Sequence, residues 1–221
     1  MNLTEAMRER HSVRQYKNKP LENEVISALT AEMEACNQEG DLHIQLVSNE
    51  PKAFDGRMAH YGNFSGVTNY FALIGKKTPN LEEKCGYYGE RLVLKAQQLG
   101  LNTCWVAMSY SKIKSAFVVA NDEKLCLVIA LGYGETQGVP HKSKAANAVS
   151  NADSSSPKWF LDGVNAALLA PTAMNQQKFT FTLNQNQVTA KPGLGFYTKV
   201  DMGIAKYHFE IGAGVENFKW A

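Results

Sequence analysis

The chain has 221 residues, 44% of them hydrophobic, which is enough to fill the core of one large domain or two small ones. Its 23 basic and 21 acidic residues leave a formal charge of +2, too balanced to suggest a nucleic-acid or membrane partner. Four widely spaced cysteines without a CxxC pair favour buried thiols over disulfides or zinc. Since no signal peptide or membrane-length apolar run is found, we expect a cytoplasmic globular protein.

Up to residue 134, the hydrophobic spacing predicts alternating helices and strands. The predicted helices cover residues 4–10, 21–35, 81–99 and 111–119. The predicted strands cover residues 43–47, 70–74, 102–106 and 125–131. A long loop or irregular helix is expected at 54–69, and Gly100 suits the left-handed end of the helix before it.

Residues 135–156 differ in composition, since Ser, Ala, Asn and Lys dominate there and large apolar residues almost vanish. This segment is typical of a linker or crossing segment. It divides the chain into a first half at 1–134 and a second half at 157–221. The second half is predicted to contain a helix at 159–169, strands at 178–183 and 187–191, and a last helix at 199–215.

The two halves show a faint repeat. In each, a helix leads through an Asn-Gln turn, Asn37-Gln38 or Asn175-Gln176, into a strand. Helix–turn–strand units are common, so this similarity alone is weak support for an internal duplication.

The first candidate site is the cluster of Arg10, His11, Ser12 and Arg14, which follows the first helix. The plain interpretation is helix capping, because cations are stabilised at the negative end of a helix dipole, and in isolation we prefer it. The functional alternative is phosphate binding. Arginine offers a planar fork of donors to phosphate oxygens and serine adds a hydroxyl donor.

The second candidate site is the turn at residues 171–177, where Pro171 ends a helix. An ordinary surface turn is the simpler reading. Alternatively, its backbone groups and the amides of Asn175 and Gln177 could face a planar heterocycle with mixed donors and acceptors. The basic triplet at 142–144, after His141, is more typical of a solvated loop when considered by itself.

Two other patterns are rejected. Gly132-Tyr133-Gly134 lacks the third glycine of a dinucleotide-binding loop, since Gln137 stands there. Asp201 and His208 have no third ligand at close spacing, so a capping aspartate and a packed histidine are expected instead of a metal site.

Considered together, the motifs resemble those of the FMN-dependent nitroreductase family. Residues 10–16, RHSVRQY, are similar to its Arg-[Arg/His]-Ser-x-[Arg/Lys]-x-[Phe/Tyr] opening, and 170–177, APTAMNQQ, to its Ala-Pro-Ser-x-x-Asn-x-Gln-Pro turn. Residues 88–103 resemble the helix leading to the flavin-edge loop, and 142–144 a late Lys-Ser-Arg element. Residues 201–210 are similar to the last helix of a branch with two related halves in one chain.

The resemblance implies an α+β nitroreductase-like fold, with a mixed central sheet flanked by helices, and an FMN cofactor. The residues implied to hold the FMN phosphate are Arg10, Ser12, Lys142 and Lys144, with His11 beside them. Arg14 would reach the pyrimidine edge, where a cation stabilises the reduced flavin. The loop at 105–108 would supply a backbone N–H near flavin N5, through Ala107 or Met108. The residues implied to cover the flavin ring are Pro171, Thr172, Ala173, Asn175 and Gln177.

The sequence departs from the family pattern at two places. Lys178-Phe179 replaces the Pro-Trp pair that commonly follows the turn, and Met108 stands where a glycine is expected. Met108 could narrow access to the reactive flavin edge.

The implied activity is hydride transfer from NADH or NADPH through flavin N5 to a small-molecule acceptor such as a nitroaromatic or a quinone. No side-chain acid or base is obligatory, because the cofactor performs the chemistry. A flavin-binding carrier or sensor without turnover is the alternative, and a flavin enzyme of another specificity, such as dehalogenation, is a weaker third.

The spacing of the two motifs carries an architectural prediction. In ordinary family members the turn follows the Arg-x-Ser motif after about one helix, and the flavin lies at a dimer interface. Here the first half has Ala35-Cys36-Asn37-Gln38 in place of the turn, and the second half has no Arg-x-Ser at 157–159. The sequence therefore predicts an internal pseudo-dimer that binds one FMN and can function as a monomer.

Overall fold

Helices and strands are mixed along the whole chain, and the computed structural model describes residues 1–221. The α-helices are α1 Leu3–Glu9, α2 Asn23–Gly40, α3 Arg57–Tyr61, α4 Leu81–Gln98, α5 Lys158–Ala167 and α6 Thr198–Ala213. The strands are β1 Gln45–Val47, β2 Asn69–Lys76, β3 Asn102–Val106, β4 Glu123–Gly132, β5 Phe179–Asn184, β6 Gln187–Pro192 and β7 Lys219–Trp220. The α+β class predicted from the sequence is therefore confirmed.

The chain forms two compact units that interleave along the sequence. Unit A, as we call it, contains Glu9–Leu81 and Arg91–Val139. Unit B contains Met1–Arg8, Glu82–Glu90 and Pro140–Ala221. Helix α4 thus contributes its first half to unit B and its second half to unit A.

Unit A is built on a four-stranded antiparallel sheet with the strand order β1-β2-β4-β3. Strand β2 is buried from Asn69 to Gly75, and β4 is buried from Leu127 to Gly132. Both strands are continuous apolar runs because each is covered on both faces, as the sequence predicted.

Unit B contains a three-stranded sheet with the order β5-β6-β7, in which β5 and β6 form a hairpin and β7 runs parallel to β6. Its core is aromatic. Phe181 of β5 stacks on Phe209 of α6 with ring centroids 4.7 Å apart, and Phe160 of α5 meets Phe209 edge-on at 5.9 Å. These contacts fix α5 and α6 against the sheet, so the segments that follow and precede these two helices are also fixed.

Within unit B, α4 and α6 cross at two glycines. A Cβ built on Gly86 would lie 2.0 Å from the carbonyl oxygen of Val200, and one built on Gly203 would lie 2.0 Å from that of Glu83. The contacts are reciprocal, since each glycine follows by three positions the residue whose carbonyl the other glycine faces. Two helices related by a local two-fold axis would make reciprocal contacts of this kind.

The helix predicted at 111–119 is wrong, because this segment has no regular structure. Its polar groups bond elsewhere in unit A: the N–H of Ser111 donates to Ala53, and Gln45 bonds both the N–H and the C=O of Val118. Ile113 and Phe117 pack against the core of unit A from this irregular backbone. Tertiary contacts here outweigh the local preference for helix.

The Asn37-Gln38 turn is also wrong, since α2 continues to Gly40. The amide of Asn37 instead bonds the N–H and the C=O of Ile44, at 2.7 and 2.9 Å, just before β1. The short helix α3 lies within residues 54–69, where a long loop or an irregular helix was expected, whereas β7 was not foreseen. The sequence signal for β7, two residues at the chain end, is too short to be recognised.

The remaining predicted helices and strands are observed, with ends that shift by a few residues. None of the four cysteines forms a disulfide, and Cys36, Cys85 and Cys104 are buried, as expected. No helix combines the length and the apolar composition needed to cross a membrane.

Gly86→Ala should lower the free energy of unfolding by roughly 1–3 kcal/mol, because its Cβ would meet a backbone oxygen that cannot move aside alone. Urea denaturation followed by circular dichroism measures the loss. Gly193→Ala is the control, since its nearest contact is the Cβ of Lys178 at 3.2 Å. Equal effects of both substitutions would contradict the close crossing.

Candidate functional site

The first set of predicted site residues lies in unit A, where residues 10–16 run extended beside β3. Ser12 pairs with Thr103 in a parallel bridge, and the N–H of Val13 donates to the Thr103 carbonyl at 3.0 Å. Val13 and Tyr16 point into the core of unit A, and the Tyr16 hydroxyl donates to the Val13 carbonyl at 2.7 Å. Neighbouring side chains of an extended segment point to opposite sides, so Ser12 and Arg14, which flank the buried Val13, lie on the side opposite to it.

Arg10, Ser12 and Arg14 converge near Cys104 of β3. Burial raises the pKa of the Cys104 thiol, while Arg14, a hydrogen bond with Ser12 and the charge of Arg10 all act to lower it. Arg10 is buried, Ser12 is half-buried and Arg14 is exposed. Two guanidinium groups and a hydroxyl thus all act on one buried thiol of the strand, and donors of this kind suit a phosphate and its neighbouring polar atoms.

His11 lies beside this cluster and packs against a tight turn. Gly138 adopts a left-handed conformation with φ of +72°, and a Cβ there would lie 2.7 Å from the Cβ of His11. Any other residue at 138 would therefore be strained and would press on the cationic segment. Gly138 is a contributor to the cluster that sequence analysis missed.

Ala107 and Met108 follow directly on β3. Trp105 and Val106 are the last two residues of the strand, as predicted for residues 102–106, although the family resemblance also assigned them to the loop at 105–108. The loop therefore begins at Ala107. Met108 is 67% exposed, so its side chain projects from the loop.

The second set lies in unit B, where residues 171–177 form an irregular turn after α5. Met174, Asn175 and Gln177 all have positive φ, at 52°, 52° and 45°. Such a run of left-handed, non-glycine residues is uncommon and costs conformational energy. The turn therefore depends on the side chains that bond to it.

Within the turn, Gln177 is buried, with 2% of its surface exposed. Its Oε1 accepts the N–H of Lys144 at 2.8 Å, and its Nε2 donates to the Lys142 carbonyl and to Asn175 Oδ1, both at 2.8 Å. The Gln177 N–H donates to the Thr172 hydroxyl at 3.1 Å. Both N–H bonds and the oxygen of the Gln177 side-chain amide thus take part in hydrogen bonds inside unit B.

The segment 141–144 is bound to the same turn. Lys144 Nζ donates to the carbonyls of Gln176 and Gln177, at 2.8 and 3.1 Å. His141 Nε2 and the Ser143 hydroxyl both donate to the Leu168 carbonyl at the end of α5, at 2.9 and 3.1 Å. The structure thus brings the basic triplet and the turn together, although the sequence separates them.

Asp201, which lies near the start of α6, accepts two hydrogen bonds from the segment 171–177. Its Oδ1 accepts the N–H of Ala173 at 3.0 Å and its Oδ2 accepts the Gln176 amide at 2.7 Å. Burial raises the pKa of Asp201 to about 6, and these two hydrogen bonds oppose the rise. The capping role expected for Asp201 is therefore wrong, since it bonds the turn and not its own helix.

The rejected metal pattern is explained in a similar way. His208 is fully buried and bonds Glu90 of α4 at 2.9 Å and the Ala166 carbonyl of α5 at 3.1 Å. No group of three His, Cys, Asp or Glu side chains in the chain is arranged to hold a metal ion. His208 connects three helices of unit B, which is the packing role predicted for it.

Comparison with protein families gave one match, a model described as "Putative TM nitroreductase", which covers residues 2–213. No curated protein matched the chain.

Several solved structures share the fold. A "putative nitroreductase" from Thermotoga maritima superposes with a TM-score of 0.67 at 22% identity, covering 96% of this chain and 83% of that one. A "Putative NADH dehydrogenase/NAD(P)H nitroreductase" from Parabacteroides distasonis gives 0.54 at 22% identity, covering 67% and 97%. A "putative nitroreductase in complex with FMN" from Desulfovibrio desulfuricans gives 0.52 at 14% identity, covering 67% and 95%.

The raised pKa of Asp201 predicts a distinct effect of pH on stability. The folded protein binds a proton at Asp201 more tightly than the unfolded chain does, because its pKa rises from 3.8 to about 6. The stabilisation that this proton gives to the folded protein is therefore fully present below pH 4. It is lost as pH rises through 6, which lowers the free energy of unfolding by up to about 3 kcal/mol. Asp201→Asn should remove it.

The measurement is urea denaturation of the wild-type protein and of Asp201→Asn at pH 4, 5, 6 and 7.5. The wild-type free energy of unfolding should fall relative to that of the variant across this range. A constant difference between the two proteins would show that Asp201 titrates at its ordinary pH.

Proposed function

Because the chain belongs to the nitroreductase family, we propose that it is an FMN-dependent oxidoreductase. The observation that carries the proposal is the convergence of Arg10, Ser12 and Arg14 beside β3, in a chain whose family match runs from residue 2 to residue 213. The FMN reported in the Desulfovibrio desulfuricans structure, which has the same fold, supports this choice of cofactor.

The donor chemistry of unit A fits the FMN phosphate. Arg10 and Ser12 would bind it through charge-assisted and hydroxyl hydrogen bonds, with His11 beside them. Lys142 and Lys144 are proposed as further phosphate contacts. Lys144 already donates to two carbonyls, so one of its three N–H bonds remains for a ligand. Arg14, which is exposed, would serve the pyrimidine edge of the ring.

The turn of unit B fits the ring system, which needs both donors and acceptors. Pro171, Thr172 and Ala173 would cover the ring, together with Asn175. Gln177 would act through its backbone, because its side-chain amide is engaged with Lys142, Lys144 and Asn175. Ala107 or Met108 is proposed to offer a backbone N–H to flavin N5.

When bound, FMN supplies a hydride-accepting centre that takes electrons from NADH or NADPH and passes them to a small organic acceptor such as a nitroaromatic or a quinone. The chain's own part is to bind and orient the cofactor. No side-chain acid or base is required, and neither a nucleic acid nor a membrane is a proposed partner. We place this activity in the cytoplasm.

We further propose that the chain consists of two related halves, 1–134 and 157–221, joined by 135–156. The order helix, two antiparallel strands, helix, strand occurs as α2-β1-β2-α4-β3, with the short helix α3 inserted between β1 and β2, and again as α5-β5-β6-α6-β7. The reciprocal contacts of Gly86 and Gly203 support the same two-fold relation. One FMN per chain and a functional monomer follow from this proposal.

A carrier or sensor that binds FMN without turnover is the second candidate. Met108 favours it, because its exposed side chain stands where the family has glycine and can obstruct the flavin edge.

The purified protein should be yellow and should bind one FMN per chain. Arg10→Ala should weaken FMN binding by roughly 1.5–3 kcal/mol, through loss of a charge-assisted contact. Isothermal titration of the apoprotein gives both the stoichiometry and the affinity. Lys158→Ala is the control, since Lys158 is an exposed cation paired with Asp162. A colourless protein that takes up no FMN would refute the proposed cofactor. A protein that binds two FMN per chain would refute the proposed single site.

Turnover separates the two candidate functions. The FMN-loaded protein should oxidise NADH or NADPH when a nitroaromatic or quinone is added, as followed by nicotinamide absorbance. Met108→Gly should increase the rate, because it removes the exposed side chain from the loop. A protein that retains FMN but consumes no nicotinamide, with either residue at 108, would be a carrier or sensor.

A further inference from the structure

Apart from Gln185 in the turn of the β5–β6 hairpin, the non-glycine residues of unit B with positive φ lie in two segments. Met174, Asn175 and Gln177 have positive φ in the turn at 171–177, and Tyr197, at 60°, has it directly before α6. Bulky side chains rarely adopt this conformation, and it persists only where the surroundings impose it. Contacts with other parts of unit B must therefore stabilise the left-handed conformation of both segments.

One buried carboxylate contacts both segments, directly or through one amide. Asp201 is 2% exposed and accepts hydrogen bonds from the N–H of Ala173 and from Gln176 Nε2. The same Gln176 Nε2 donates to the Phe196 carbonyl at 2.8 Å. The chain of bonds runs from Asp201 through Gln176 to the loop at 193–197.

That loop is strongly apolar at its surface. Leu194 is 94% exposed and Phe196 is 76% exposed, and Met174 of the neighbouring turn is 81% exposed. Hydrophobic side chains so open to water gain nothing from their own packing. The backbone beneath them is held by polar contacts: the Gly193 N–H donates to the Lys178 carbonyl at 2.8 Å, and the Phe196 carbonyl accepts from Gln176, which itself bonds Asp201.

We propose that Asp201 is a positioning residue, whose ionised carboxylate holds the strained turn at 171–177, and the loop at 193–197 beside it, in the conformation that receives the flavin ring. The proposal rests on the proposed FMN function. Asp201 itself touches neither substrate nor cofactor. It acts through Ala173 and Gln176.

The protonated carboxyl cannot do the same. A neutral carboxyl carries an O–H donor on one oxygen, which would face either the Ala173 N–H or the Gln176 amide, both of them donors. That oxygen then accepts a hydrogen bond more weakly than a carboxylate oxygen does, and the bond is no longer charge-assisted. Asparagine at 201 has the same defect, so Asp201→Asn imitates the protonated protein.

The environment of Asp201 places this change within an accessible pH range. Burial raises its pKa to about 6, and no charged side chain is among the causes. Charged groups on adjoining elements include Lys178 and Lys199, which are exposed, and Glu83, which pairs with Lys206. Lys144 is also near, since its Nζ donates to the carbonyls of Gln176 and Gln177. The ionised state therefore reduces stability while it organises the turn.

The test compares the wild-type protein with Asp201→Asn, and with Asp162→Asn as a control for a surface aspartate of the same unit. The first readout is amide hydrogen exchange without FMN. At pH 7.5, Asp201→Asn should speed exchange at Ala173, Gln176 and Gln177 by about tenfold or more, after correction for intrinsic rates. Exchange in the β5–β6 hairpin should not change.

The second readout is FMN affinity between pH 5 and 7.5. At pH 7.5 the affinity of Asp201→Asn should be lower by about tenfold, as expected for a lost charge-assisted hydrogen bond. At pH 5 the two proteins should converge. The FMN phosphate also titrates near pH 6, at about the value of other phosphate monoesters, but this affects both proteins alike.

The outcomes are distinct. Wild-type exchange rates in Asp201→Asn would overturn the proposal. So would faster exchange with unchanged FMN affinity, since the carboxylate would then be only structural. If the wild-type protein takes up no FMN, the proposed function fails and the positioning role for FMN fails with it, while faster exchange would still show that Asp201 holds the turn.

Discussion

The turn at residues 171–177, which contains the second set of candidate site residues, is not stable by itself. Residues 171–177 include three non-glycine residues in the left-handed conformation, and their polar groups are satisfied by side chains from other segments. Gln177 joins the turn to the basic segment, and Asp201 joins it to α6. These amides and this carboxylate can be buried only because each is hydrogen-bonded, which offsets part of the cost of removing them from water. Packing of α5 and α6 through Phe160 and Phe209 keeps the supporting groups in place.

The sequence was sufficient to predict the regular elements that bury apolar runs, such as β2 and β4, because burial on both faces gives an unambiguous pattern. It failed at residues 111–119, where a helical pattern lost to bonds from Gln45, and at Asn37, whose amide bonds the backbone near β1. The cationic segment at residues 10–14 was recognised as a candidate site because arginine and serine supply the donors that a phosphate needs. The role of Asp201 was missed, because a capping aspartate and one that bonds a distant turn look alike in sequence.

The family membership gives these local findings a common interpretation. Unit A gathers donors suited to a phosphate, and unit B presents a shaped, polar turn suited to a ring system. The pairing of Gly86 and Gly203 across α4 and α6 is the type of contact found at two-fold interfaces between identical subunits. Under the proposed internal duplication, the two halves of one chain supply both partners of this contact. The strained turn and the buried charge reduce stability, which is common where a protein maintains a binding surface.

The central claim is that the cationic cluster beside β3 recognises the FMN phosphate. Its most direct test is the affinity of the wild-type protein and of Arg10→Ala for FMN and for riboflavin, which carries the same ring without the phosphate. The account predicts that the wild-type protein prefers FMN strongly and that Arg10→Ala reduces this preference, with riboflavin binding unchanged. Equal losses of affinity for both ligands would contradict it.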